Sequence, residues 1–227
     1  MMVAFLTNKT SMEHLSSFAT YELERTDCFL CRPAVRLLVD VAPKFFTIAG
    51  IGPLSPGYAI VATIEHLDKI RDATTIQQFS DYTGKIRQIL TNQFGSCLLT
   101  EHGHSPLCTL ADTKNVHCFH PHVLLFPGAP SILDSADECF SDGGTTFSTL
   151  AAALKFGVAL PQYLLISEST SSFKVYPVAE GLPRQFARVL VAEQQGNEEL
   201  ASWRTHPGFD MAEKNAHQIK VLLRGEE

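Results

Sequence analysis

The chain has 227 residues, 45% of them hydrophobic, which is enough to bury one substantial core with room for a small extension. Its formal charge of −6 and its pI near 5.8 exclude the basic face that a duplex-DNA or polyanion binder needs. A pocket for one small phosphorylated ligand needs only local positive groups and stays allowed.

No apolar run reaches the roughly 18 to 20 residues of a membrane span. Met1–Lys9 has one lysine but lacks a charged start and a small-residue cleavage site, so the expectation is a cytoplasmic protein with no membrane partner. Of the six cysteines, Cys28 and Cys31 are a close pair while Cys97, Cys108, Cys118 and Cys139 are scattered. That distribution fits thiols plus one metal-binding pair better than a disulfide framework.

In chain order, residues 11–24 predict a short leading helix that runs up to the cysteine pair. Val35–Val41 and Phe45–Ile51 are β-branched and aromatic runs split by Ala42-Pro43-Lys44, and they read as a hairpin. The turn formers of Gly50–Gly57 lead into a third strand, Tyr58–Ile64. From Thr75 to Phe94, Ile76, Phe79, Tyr82, Ile86, Ile89 and Leu90 recur at three- and four-residue spacing. This predicts an amphipathic helix, with Gly95 placed to end it. Cys97–Glu101 and His122–Phe126 read as two further strands, joined by a loop over His102–Asn115.

After Pro127 the pattern predicts a glycine-rich loop (Gly128–Gly144), a short helix (Thr146–Phe156), a hairpin (Gln162–Glu168 with Ser172–Val178) and a helix over Pro183–Gln195. Glu198–Leu223 reads as helical or irregular. Strands, a long helix and more strands make an α+β domain with a mostly antiparallel sheet of about five strands. The expected organisation is an N-terminal segment (1–27), a core (28–128) and a C-terminal hairpin-helix extension packed on it (129–227).

Two motifs carry chemistry. His120-Pro121-His122 leads into Val-Leu-Leu-Phe-Pro; histidines at i and i+2 of a strand point to one face, so both imidazoles can serve one site as nucleophile, base or metal ligand. The bland alternative is a pair of exposed loop histidines. Cys28-Phe-Leu-Cys31 can supply two thiolates to a tetrahedral zinc whose other ligands lie elsewhere. A structural pair without metal is the equal alternative, because the βαβ context of a redox pair is missing.

The order of cysteine pair, Pro-Leu-Ser-Pro-Gly-Tyr-Ala-Ile-Val-Ala-Thr-Ile-Glu-His66, helix, and His-Pro-His-Val-Leu-Leu-Phe-Pro resembles the histidine-triad superfamily over residues 28–128. The resemblance implies that His122 attacks the α-phosphorus of a nucleotide conjugate and forms a covalent nucleotidyl-histidine, as a hydrolase or a transferase. The His-Pro-His spelling is similar to the galactose-1-phosphate uridylyltransferase branch, which implies a structural zinc held by Cys28, Cys31, His66 and His120. A second register takes Cys118, His120 and His122 as the triad and makes His120 the nucleophile, at the cost of misplacing the closing proline.

Against the family pattern, Leu124 stands where the third histidine would bind a phosphate oxygen, and Gly50 where many members place a ribose-binding Asp or Asn. Asn115-Val-His-Cys118 replaces the phosphate loop. Glu101-His102-Gly103 resembles a bacterial subgroup with a longer C-terminus, in which Glu101 would orient a catalytic imidazole. Leu182–Arg188 followed by Trp203-Arg204 resembles the tail of the same subgroup, where Arg184 or Arg188 would bind phosphate.

The expected site is therefore His122 and Glu101 for catalysis; Gly50, His117, Cys118, Leu124 and Arg188 for substrate; and Cys28, Cys31, His66 and His120 for zinc. The implied partner is a nucleotide or nucleotide conjugate, and a homodimer is the family's habit. The rival expectation is a catalytically silent nucleotide-binding or scaffolding protein that keeps the fold and the zinc.

Overall fold

The computed structural model describes residues 17–22, 28–104, 119–140, 142–178, 182–183 and 185–225. Among the described residues eight strands form one sheet: β1 (Leu38–Val41), β2 (Phe45–Ala49), β3 (Ala59–Thr63), β4 (Cys97–Gly103), β5 (His122–Pro127), β6 (Thr145–Phe147), β7 (Tyr163–Ser169) and β8 (Ser172–Pro177). Their order is β1-β2-β3-β5-β4-β7-β8-β6, and every pair is antiparallel.

The sequence led us to expect about five strands in that sheet. The hairpin β7–β8, expected as part of a packed extension, instead continues the sheet, because β7 pairs with β4 from Leu99↔Ser167 to Gly103↔Tyr163. A strand with an unpaired edge beside a hairpin satisfies its backbone groups most cheaply by pairing with it.

Alternating side chains split the core in two. Ile60, Ala62, Leu98, Phe126, Leu164, Ile166 and Tyr176 point to one face, while Ala59, Val61, Leu99, Val123, Leu125, Leu165 and Val175 point to the other. Both faces are covered, which is why β2 and β3 are buried at every position and read as continuous apolar runs.

The second face is packed by α1 (Ala73–Phe94), whose Ile76, Phe79, Thr83, Ile86 and Leu90 form the buried stripe, and by α3 (Leu150–Gly157). Asp72 caps α1 by accepting the Thr75 N–H at 2.7 Å, and Gly95, at φ 92°, ends it. The first face is covered by helical residues 17–22, α2 (Leu133–Cys139), α4 (Phe186–Gln194), a 3₁₀ turn (Glu198–Ala201) and the start of α5 (Phe209–Arg224).

Two further expectations change. The Gly128–Gly144 loop contains α2, which Ser131 and Asp134 start well enough despite the surrounding glycines. The helix expected over Thr146–Phe156 is in fact strand β6 followed by α3, because Thr145–Phe147 pairs with β8 and Thr149 caps the helix, accepting the Ala152 N–H at 3.2 Å. Among the described residues no helix is long and apolar enough to cross a membrane.

Candidate active site and metal centre

The sheet gathers four ligand groups from three distant places. Cys28 and Cys31 lie on a tight turn closed by the Cys31 N–H to the Cys28 carbonyl at 3.1 Å, which turns both thiols to one side. His66 follows β3 on a bend held by the Thr63 hydroxyl donating to the Glu65 carbonyl at 2.7 Å, and His120 leads into β5, the neighbour of β3. The ligand atoms of Cys28, Cys31, His66 and His120 all lie within 4.8 Å of one another.

Cys28 Sγ and Cys31 Sγ are 3.6 Å and 3.7 Å from His120 Nδ1, and Cys31 Sγ is 2.8 Å from His66 Nδ1. Metal–sulfur and metal–nitrogen bonds of about 2.3 and 2.1 Å at tetrahedral angles place sulfur and nitrogen about 3.6 Å apart, so the two His120 distances suit a shared ion. His120 turns Nδ1 toward the cluster and donates Nε2–H to the Thr63 carbonyl at 2.7 Å, the outer hydrogen bond that fixes a metal-binding imidazole. The four groups thus could hold a metal ion, and their two-sulfur, two-nitrogen chemistry fits a soft divalent cation.

His120 also positions its neighbour. Its carbonyl accepts Nδ1–H of His122 at 2.8 Å, which leaves the lone pair on His122 Nε2. Burial lowers the His122 pKa to about 4 and outweighs that hydrogen bond, so the ring is neutral at physiological pH. A neutral imidazole with one nitrogen tied to a backbone carbonyl presents the other as a nucleophile or base.

His122 lines a cleft at this end of the sheet together with Glu101, His102, His104, Phe119 and Tyr163. His104 adopts a left-handed backbone (φ 59°) and stacks on Phe119 with ring centroids 4.5 Å apart.

Glu101 and His122 do not touch through their side chains. The register Thr100↔Leu124 sets Glu101 opposite Val123, on the face that carries α1, while His122 points to the other face. Glu101 Oε2 instead accepts the Tyr163 hydroxyl at 2.9 Å. Burial raises the Glu101 pKa to about 8, against a lowering by that hydrogen bond, so the carboxyl stays largely protonated at neutral pH.

Gly50 and Arg188 both lie against the Tyr58 ring, and neither lines the cleft that holds His122. A Cβ on Gly50 would sit 1.9 Å from Tyr58 Cε1, so only glycine leaves room for that ring. The Arg188 guanidinium lies 5.4 Å from the centroid of the same ring. It donates Nε–H to Ala201 O at 2.9 Å and Nη2–H to Gly52 O at 2.6 Å and Leu200 O at 3.3 Å. Leu124 packs against the first-face core. His117, Cys118 and Arg184, with the rest of 105–118, lie outside the described residues.

No protein-family model matches the chain, and no curated protein matches it. Among solved structures it is similar to a hypothetical histidine triad nucleotide-binding protein from Sulfolobus tokodaii strain7, with 19% identity over 44% of this chain and 68% of that one and a TM-score of 0.34. It is also similar to a Hit-like protein involved in cell-cycle regulation from Bartonella henselae, with 15% identity over 45% of this chain and 77% of that one and a TM-score of 0.34. Both likenesses span less than half of this chain.

Sequence reasoning missed Tyr163 as the partner of Glu101, and the backbone groups around the imidazoles. Neither left a local signal: the Tyr163 contact depends on the β4–β7 register, and the contact between the Ala187 N–H and His102 Nε2 at 3.2 Å depends on where α4 docks.

Proposed function

We propose that this chain is a histidine-triad-like protein that binds a nucleotide or nucleotide conjugate and acts on it as a nucleotidyl hydrolase or transferase. The observation that carries the proposal is the His122 ring, which lines the cleft and whose Nδ1–H is tied to the His120 carbonyl, so that the neutral ring keeps its lone pair on Nε2.

In this reading His122 Nε2 attacks the α-phosphorus, the phosphorus–oxygen bond to the leaving group breaks, and that oxygen departs with the electron pair. Water or an acceptor phosphate then displaces the histidine. Cys28, Cys31, His66 and His120 would hold zinc with four protein ligands, and its chemistry there would be to fix those side chains rather than to activate water. Glu101 acts on the cleft wall as a neutral acid that hydrogen-bonds Tyr163.

A second reading keeps the binding and drops the turnover. Leu124 offers no hydrogen bond to a phosphate, and the Gly50 position is filled by the Tyr58 ring; both favour a silent nucleotide-binding or scaffolding protein.

The deciding experiment incubates the purified protein with ATP, diadenosine tetraphosphate and UDP-glucose, quenches at short times and reads intact mass and peptide mass, with elemental analysis for zinc in parallel. A nucleotide-sized adduct on the peptide carrying His122, lost in His122→Ala while the melting temperature is kept, supports the enzyme. Stoichiometric zinc and nucleotide binding with no adduct and no turnover favours the silent protein.

A further inference from the structure

The cleft holds a second imidazole that the reading above leaves unused. Continuing the antiparallel register from Thr100↔Leu124 by two residues sets His102 of β4 opposite His122 of β5, on the same face of adjacent strands. Residues so placed have Cβ atoms about 4.5 to 5.5 Å apart. The other side chains flanking His122 on that face are Ala62 and Leu124, which cannot hydrogen-bond, and His120, whose two ring nitrogens are engaged by the cysteine pair and the Thr63 carbonyl.

The two rings are held in complementary states. His122 gives its Nδ1–H to a carbonyl and keeps a lone pair on Nε2. His102 does the reverse: its Nε2 accepts the Ala187 N–H at 3.2 Å, so a neutral ring must carry its proton on Nδ1. Ala187 sits in the first turn of α4, whose N-cap, Gln185, makes no side-chain capping bond, so β4 supplies the missing acceptor. The positive end of the helix also disfavours a charged ring there, and burial together with His122 holds the His102 pKa down to about 4. A lone-pair nitrogen and an N–H donor therefore share one face of the sheet.

We propose that His102 is a second catalytic residue, whose Nδ1–H donates to a non-bridging oxygen of the phosphoryl group that His122 Nε2 attacks. This rests on the reading of His122 as nucleophile. No proton is transferred from His102: the nitrogen–phosphorus bond forms from the His122 lone pair, the leaving oxygen takes the electrons of the broken bond, and the His102 N–H stays bonded to nitrogen while charge builds on the oxygen it holds. A donor aimed at developing charge in this way is worth about 100-fold or more in rate.

A purely structural role, capping α4, makes the opposite predictions, and two substitutions separate them. His102→Gln can place a carbonyl oxygen near the Nε2 position and keep the cap, but it has no donor at the Nδ1 position. His102→Asn puts an amide N–H near the Nδ1 position and loses the cap.

With the probe that labels wild-type His122, we expect His102→Gln to melt close to wild type yet form the adduct about 100-fold more slowly. His102→Asn should melt lower and be the faster of the two. Equal adduct rates in His102→Gln and wild type overturn the proposal and leave His122 standing, whereas no adduct in the wild type overturns both. A readout that needs no substrate is the long-range proton–nitrogen spectrum of ¹⁵N-histidine-labelled full-length protein, with His102 assigned by its loss in His102→Gln. The Nδ1–H form is expected at neutral pH, and the Nε2–H form overturns the proposal whatever the kinetics show.

Discussion

Replacing Glu101 by Gln should make the protein more resistant to alkaline conditions, in proportion to pH. Glu101 is 6% exposed, and burial moves its pKa from 4.5 to about 8. Below pH 4.5 the carboxyl is protonated folded or unfolded, and its contribution is fully present. Between that value and about 8 the folded protein keeps a proton that the unfolded chain gives up, so stability falls as pH rises. The slope is about 1.4 kcal/mol per pH unit.

Glutamine keeps an oxygen for the Tyr163 hydroxyl and cannot ionise. The stability difference between Glu101→Gln and wild type should therefore grow by on the order of 3 kcal/mol from pH 5.5 to 7.5, roughly 6 to 12 °C in relative melting temperature for a chain of this size. Comparing the two proteins at each pH cancels every other titrating group. Denaturant melts at four pH values across that range are the assay. A difference that stays constant within 1 kcal/mol would refute the argument that Glu101 is buried as a neutral acid.

Two other outcomes follow from the same contacts. Cys28→Ser should lose bound metal and several kcal/mol of stability, while Cys97→Ser should keep its metal and melt higher than Cys28→Ser; elemental analysis and melting with and without a chelator check both. Arg188→Ala leaves the carbonyls of Gly52, Leu200 and Ala201 without their donor in a buried place. We expect a loss of about 3 kcal/mol, read by denaturant unfolding.

Much of this site can be read along the chain, and the parts that cannot share a cause. In the cluster of Cys28, Cys31, His66 and His120, the cysteine pair is legible because two thiols with two residues between them suit one metal ion, whereas His66 and His120 were supplied by the resemblance to the histidine-triad superfamily. The first three strands are legible as β-branched and aromatic runs bounded by turn formers, and α1 because its period of 3.6 runs unbroken. What local pattern does not contain is which strand a strand pairs with. The hairpin β7–β8 was visible as a hairpin, but its place beside β4 was not, and with it went the count of eight strands and the Tyr163–Glu101 contact. Arg188 looked like a phosphate donor because a guanidinium in a helix carries the same signature whether it meets a ligand or three backbone carbonyls.

His120 faces two ways: its ring belongs to the cysteine cluster and its carbonyl to His122. An ion held by that cluster and the His122 ring would thus be arranged in mechanical series through one residue, like two gears on a single axle. Exchanging the ion for one of different radius would shift the ring of His120, carry its peptide plane along, and change the angle at which His122 is gripped. On the proposed function, metal selectivity and reactivity would then not be separable properties, and the identity of an ion held there would set the presentation of His122 as well as staple the fold.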